Sequence, residues 1–348
     1  METLTTPSQR ARPFRLHVLN PGGNDPEQHF DVRAGAGRQP HAPVNFHAYA
    51  ACTGGSFFRD TARAAATGDP VLLLLRGDFR ASEHALDVLL RAGIDVAVSL
   101  KETGLHQIAE QLEDGSRLRR FLRIIQKARR CLASTAEAAD VYRSVGDGSD
   151  RVAFIPTPYP LDDPRWDFSR PNDQRCGILV GTREWDVASR NHTAALLAAR
   201  QLSAATDAGV TVYNDDGRKG ERLLREIGFA PDRLRVCESD APYTDYLRVV
   251  GQHQLVLELD TSFVPGQVAG DALLCRLPCV GGNGAVDRLG HPATCGAGRS
   301  GAELMELAQR LLLDREFYAR TVADSQRNAT EHLSFGRVAA DLEAFFRG

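Results

Sequence analysis

The sequence predicts an α/β fold of two doubly wound domains, each with a parallel sheet, facing one another across a cleft. Three observations carry that expectation. Short apolar runs alternate with amphipathic stretches along the whole chain, which is the pattern of β-α-β units. A length of 348 residues suits two domains rather than one. Between the two series, residues 156–171 hold five prolines, and such a stretch neither continues a helix nor sits inside a sheet.

In the first series, strands are expected at residues 15–19, 44–50, 71–75, 95–100, 130–133 and 152–155, with helices at 83–92 and 105–112. In the second, strands at 176–180, 210–213, 234–237, 255–259 and 278–280 alternate with helices near 191–202, 220–227, 242–250 and 268–275. Helical segments at 301–313 and 337–346 close the chain. The domain division is 13–160, a linker at 161–175, and 176–325, with a C-terminal helix over 326–348 packing back toward the first domain. No internal repeat interrupts the series.

Charge and cysteine usage exclude several classes. Forty-two basic against 45 acidic residues leave a net charge of −3 at pH 7, with none of the basic excess of a protein that binds nucleic acid by bulk charge. The seven cysteines form no C-x-x-C pair and lie mostly in apolar runs, so neither a disulfide framework nor a zinc module is expected and a reducing cytoplasm fits. The first residues are polar and lack the apolar stretch of a signal peptide. Among enzyme motifs, D-x-D, H-E-x-x-H, G-x-S-x-G and the phosphate-binding loop are absent. No metal and no cofactor are therefore expected.

Four segments resemble a known family. They are LVLELDTSFVPGQVAGDALLCRLPCVGGNGAVDRLGHP at 255–292, GILVGTREWDVASRN at 177–191, FIPTPYP at 154–160 and EHLSFGRVAADLEAFF at 331–346. In order and spacing they are similar to the retaining, glycogen-synthase-like (family 4 type, group 1) branch of the GT-B glycosyltransferases. The resemblance covers the C-terminal half in its motifs and the N-terminal half only in its architecture. It implies two Rossmann-like domains, an acceptor-binding one and a nucleotide-sugar-binding one.

The residues support that reading on their own chemistry. Gly266, Gln267 and Val268 open a helix, so its backbone N–H groups and dipole point at whatever occupies the cleft, and a diphosphate is the natural occupant. Asp271 is expected in the first turn, where a carboxylate accepts ribose hydroxyls; the competing reading is an ordinary acidic residue favoured by the dipole. The family's E-x7-E pattern places its second acid on Asp271 and its first on Phe263, which accepts no hydrogen bond from a sugar. Glu258 and Asp260, just before it, are the substitutes in reach, and retention against inversion is left open. By resemblance, Arg183 and Arg190 clamp the diphosphate, a task suited to a guanidinium that stays charged and offers paired donors. His192 reads as a helix-surface residue.

Across the cleft, the strand ending at Leu100 runs into Lys101, Glu102, Thr103 and Gly104. Relatives put a polar residue at this strand mouth facing the reacting sugar. Lys101 is placed to stabilise the leaving phosphate and Glu102 to orient it or take the acceptor's proton; the plain alternative is a solvated ion pair. Thr53, Gly54 and Gly55 follow an expected strand and become cleft-loop candidates, as does the pair Gly22 and Gly23.

The stretch from Arg117 to Arg130 carries seven basic residues, with Leu118, Phe121, Leu122 and Ile125 at helical spacing. It reads as a core-facing helix with a cationic back, or as an attachment to an anionic membrane surface serving a lipid-linked acceptor. The functional expectation is a metal-independent transferase moving a sugar from a nucleotide-diphosphate sugar to an acceptor hydroxyl of a glycan or lipid-linked molecule. A nucleotide-sugar 2-epimerase of the same fold and a non-catalytic nucleotide-sugar-binding relative are the alternatives.

Overall fold

A computed structural model describes residues 13–30, 41–145, 149–181, 185–237 and 241–348. The first domain begins with strands β1 (His17–Leu19) and β2 (Gln28–His29), helix α1 (Asn45–Ala51), β3 (Ser56–Phe58) and α2 (Thr61–Ala65). It continues through β4 (Val71–Leu75), α3 (Arg80–Arg91), β5 (Val96–Leu100), α4 (Leu105–Leu112) and α5 (Gly115–Lys127). It ends with β6 (Arg130–Ala133), α6 (Ala136–Val145) and β7 (Val152–Phe154). Among the described residues these strands form one sheet, ordered β2-β3-β1-β4-β5-β6-β7, with only β2 antiparallel to its neighbour.

The second domain runs β8 (Ile178–Val180), α7 (His192–Thr206), β9 (Val210–Tyr213), α8 (Arg218–Ile227), β10 (Leu234–Cys237) and α9 (Tyr243–Val250). It proceeds to β11 (Leu255–Leu257), α10 (Gln267–Leu274), β12 (Cys279–Val280), α11 (Ala285–Gly290) and α12 (Gly301–Leu313). Helices α13 (Arg315–Leu333) and α14 (Phe335–Arg347) follow. The second sheet is parallel throughout, in the order β10-β9-β8-β11-β12.

Both sheets are covered on two faces, which is why their strands read as continuous apolar runs. In β4, Val71, Leu73 and Leu75 enter one core while Leu72 and Leu74 enter the other, and all five are fully buried. Helix α14 sends Val338, Leu342 and Phe346 into the core that holds Leu72 and Leu74. Arg130, at the start of β6, donates to the carbonyls of Phe345 and Phe346 and fixes the end of that helix. The linker is tied down at Tyr159, whose backbone bonds Leu333 and Phe335. Its ring lies so close to α10 that a Cβ on Gly270 would stand 1.9 Å from Cζ, so only glycine fits in that helix.

The segment expected as a strand at 44–50 is instead α1. Phe46, His47, Ala48, Tyr49 and Ala50 are all buried, so the helix has no solvent face and shows no helical periodicity. That change moves Thr53, Gly54 and Gly55. They follow a helix whose start faces the cleft, and they therefore lie at the far end of the sheet. Thr53 Oγ1 accepts from Leu16 N at 3.0 Å, just before β1 begins, and Gly55 packs on the Leu16 carbonyl. These three residues are not cleft loops.

Candidate active site

The C-terminal ends of the two sheets face each other, as doubly wound folds require of a ligand site. Between them lies a cavity of about 430 Å³. Four residue pairs are bonded across the seam beside it. Asn45 Nδ2 donates to Gln267 Oε1 at 2.9 Å, Leu105 N donates to the Ser262 carbonyl at 3.2 Å, and Ser189 Oγ lies 3.3 Å from His106 Nδ1. Arg288 grips Glu137 with two donors, at 2.7 and 2.9 Å.

On the N-terminal wall, β5 delivers Lys101 to the cavity edge, its amide bonded to the Leu75 carbonyl. Its Nζ stands 3.8 Å from Glu102 Oε1 and 3.9 Å from Asp25 Oδ2, at the outer limit of an ion pair. Gln107, in the first turn of α4, donates to Glu102 Oε2 at 3.4 Å and accepts from Gly104 N at 3.1 Å. Helix α4 thus offers one long contact to the half-exposed Glu102 carboxylate beside Lys101. Thr103, Ser134 and Thr157, which follow β5, β6 and β7, add hydroxyls to the same wall.

On the opposite wall, Gly266 caps the start of α10 with φ +90°, a left-handed conformation that glycine adopts without strain. No side chain caps the helix, and Gly266, Gln267 and Val268 line the cavity. The N–H groups of the first turn are therefore presented to an occupant. Asp271 stands one turn further in than expected, as the fifth helical residue, and is 2% exposed. It reaches the cavity with its carboxylate held by the Tyr243 hydroxyl. Burial and that carboxylate push the Tyr243 hydroxyl well above the usual phenol range, so it stays a donor.

Arg190 lines the cavity from the turn before α7. Its guanidinium is paired with Asp260 and lies 3.2 Å from Ser262 Oγ. The turn itself is stitched to the same loop, with Asn191 Nδ2 donating to the Leu259 carbonyl at 2.9 Å and Thr261 N to the Ser189 carbonyl at 2.8 Å. Arg183 lies outside the described residues. His192 is not on the surface: it is 3% exposed, its ring tilted against Trp185 at 4.3 Å between centroids, and burial pushes it down to about 4.

Phe263 takes a left-handed φ of +52° and donates its amide to Asn283 Oδ1 at 3.1 Å. Its ring faces the Arg288 guanidinium at 5.7 Å, at the domain seam. Glu258 and Asp260, the carboxylates just before it, do line the cavity.

Sequence reasoning missed a buried acid pair at the cavity floor. Glu258, after β11, and Asp287, in α11, are 3% and 2% exposed. Burial and mutual repulsion push Glu258 up, and burial pushes Asp287 up, so the two hold a proton between them. Cys279 Sγ lies 3.3 Å from Glu258 Oε1, and the ligand atoms of the three residues fall within 4.8 Å of one another. Burial also pushes the Cys279 thiol up, which favours protonated groups over the thiolate and carboxylates that a cation needs. No local pattern announces this pair, because pairing of β11 with β12 is what brings the residues together.

No family model and no curated protein matches the sequence. Solved structures do resemble the fold. HepE of Anabaena, in complex with UDP, superposes with a TM-score of 0.61 over 82% of this chain and 81% of its own at 12% identity. Sucrose-phosphate synthase of Thermosynechococcus elongatus matches with a TM-score of 0.63 over 96% and 98% at 14% identity. A UDP-N-acetylglucosamine 2-epimerase of Listeria monocytogenes, itself described only as putative, reaches 0.50 over 82% and 75% at 15% identity. Two parallel-sheet domains meeting across a cleft, together with these likenesses over most of its length, identify the chain as a protein of the GT-B fold.

Proposed function

We propose that the protein is a glycosyltransferase that moves a sugar from a nucleotide-diphosphate sugar to an acceptor hydroxyl, with retention and without a metal. The observation that carries this is the start of α10, uncapped by any side chain and opening at Gly266 into the cavity between the two sheets. Amides and dipole there favour the pyrophosphate. Arg190 adds a guanidinium whose Nη1 is anchored by Asp260 and Ser262, and Arg183 is assigned to the same charge. Asp271 takes the ribose hydroxyls, with Tyr243 fixing its carboxylate.

The reaction centre is assigned to Lys101 and Glu102 on the facing wall. Lys101 offsets charge developing on the leaving phosphate, and Glu102 orients it or accepts the acceptor's proton. In place of the family's first acidic residue, Glu258 and Asp260 meet the donor sugar. UDP and UDP-glucose appear with HepE, and a uridine nucleotide is accordingly the first donor to try. A glycan or lipid-linked molecule is the proposed acceptor.

The cationic back of α5 gives limited support to a membrane surface. Arg120 and Arg123 pair with Glu83, Lys127 with Asp87, and Phe121, Ile124 and Ile125 face the core. Among the described residues, no helix is long and apolar enough to cross a membrane. The cysteines are unpaired, which suits the proposed cytoplasmic location.

Incubation with UDP-, GDP- and ADP-sugars is expected to release free nucleotide from one of them. Asp271→Asn, which keeps an acceptor for Tyr243, is expected to weaken nucleotide binding about tenfold, the scale of one hydrogen bond to a charged group. Unchanged affinity in that variant would remove the ribose assignment. Conversion of the sugar on its nucleotide, with no acceptor present, would identify a 2-epimerase instead.

A further inference from the structure

Ser134 follows β6 at the mouth of the first sheet and is 1% exposed, yet it lines the cavity. Its Oγ has no hydrogen-bond partner among the described residues. It is not the cap of the next helix: Thr135 Oγ1 accepts from Ala138 N at 3.1 Å and performs that task. A buried hydroxyl without a partner is unfavourable, so an atom that occupies the cavity is its natural partner.

The surroundings say which part of the occupant this is. Three residues on, Glu137 is held by both donors of Arg288, so the corner carrying Ser134 is pinned to the second domain next to α11. Asp287 of α11 and Glu258 line the same cavity, and no basic side chain is bonded to either among the described residues. The Ser134 hydroxyl on one side and the Glu258 and Asp287 carboxyls on the other are partners for the hydroxyls of a polyol. Of the cations that line the cavity, Arg190 is paired with Asp260 on the facing wall, and Lys101, on the wall that carries Ser134, stands 3.9 and 3.8 Å from Asp25 and Glu102.

We propose that Ser134 Oγ hydrogen-bonds a hydroxyl of the transferred sugar and so contributes to the choice of sugar. This rests on the donor-site reading above. A site that hydrogen-bonds a substrate hydroxyl rejects the analogue lacking it, because its own polar group is then left unpaired.

The test is calorimetric titration of the wild type and Ser134→Ala with UDP, with UDP-glucose and with its monodeoxy analogues, repeated with the GDP and ADP series. Ser134→Ala is expected to bind the nucleoside diphosphate as the wild type does and the matching nucleotide sugar about 3- to 10-fold more weakly. One deoxy analogue is expected to lose the same factor with the wild type and nothing further with the variant. The melting temperature without ligand is expected to be unchanged or raised, since no internal bond is cut and a buried unpartnered hydroxyl is removed. Equal binding of the nucleotide sugar by both proteins, or a weakening that extends equally to the nucleotide alone, would overturn the assignment. Failure of the wild type to bind any nucleotide sugar would overturn the donor-site reading, and this one with it.

Discussion

Replacing Arg190 with alanine is expected to destabilise the second domain by about 3 kcal/mol and to abolish tight nucleotide binding. The reason is the partner it leaves behind. Asp260 is 4% exposed and its Oδ1 already accepts from Ser262 N at 2.7 Å, so its charge stays inside the protein with only that loop to compensate. Removing one member of a buried pair costs about 3–5 kcal/mol because the other charge is stranded, and the partial exposure of Arg190 puts this site at the lower end. The double variant Arg190→Ala with Asp260→Asn is expected to recover most of the stability and none of the nucleotide affinity. Urea denaturation and a nucleotide titration on the three proteins separate the two roles. If the double variant recovers both, Arg190 has no part in binding; if the single variant loses neither, the pair contributes nothing to the fold.

Acid is expected to destabilise the protein steeply between pH 6.5 and 4. Burial pushes His47, His192, His253 and His291 each down to about 4, and none is more than 5% exposed. The unfolded chain takes up these protons near pH 6.5 whereas the folded protein does not. Their contribution is therefore fully present above about pH 6.5 and disappears as pH falls through the folded value. Each proton taken up on unfolding adds about 1.4 kcal/mol per pH unit. The raised acids Glu258 and Asp287 act in the opposite sense, because the folded state holds their proton where the unfolded state has lost it, and they offset one or two of the four histidines. A net dependence of two to three protons is about 3–4 kcal/mol per pH unit near pH 5.

His192 offers the test of that origin. Neither ring nitrogen has a hydrogen-bond partner among the described residues, so His192→Phe removes a titrating group without cutting an internal bond. The variant is expected to lose about one proton from the slope of stability against pH and to be more stable than the wild type at pH 5. An unchanged slope would place the acid sensitivity elsewhere.

Much of the fold could be read locally, and the exceptions share a cause. The strands Val71–Leu75, Arg130–Ala133, Val210–Tyr213 and Leu234–Cys237, and the helices Leu105–Leu112 and Gly301–Leu313, have the bounds expected from the sequence. Each is a patterned run closed by turn or capping residues. Helix α1 was hidden because it is buried all round. The part of helix α13 before residue 326 was hidden for the converse reason. The inward stripe of the helix is Tyr318, Thr321, Ser325, Ala329 and Leu333, mostly small or polar, so it carries little apolar periodicity.

The site divides in the same way. Lys101, Glu102, Arg190, Gly266 to Val268 and Asp271 sit at strand mouths or at the ends and first turns of helices, where sequence position says which end of the sheet they occupy. All line the same cavity. Thr53 to Gly55 failed because a single strand read in place of a helix reverses which end follows it. The Glu258–Asp287 pair, Ser134 and Tyr243 depend on strand order and on contact between distant elements, and no local window contains that information.

Amide hydrogen exchange measures directly whether the start of α10 receives a pyrophosphate. With saturating UDP, or GDP or ADP if one of those binds, the amides of Gln267 to Ala269 are expected to slow relative to the free protein, together with the loop around Arg190. Unaltered exchange at those amides, with a nucleotide demonstrably bound and protection appearing at another surface, would contradict the account.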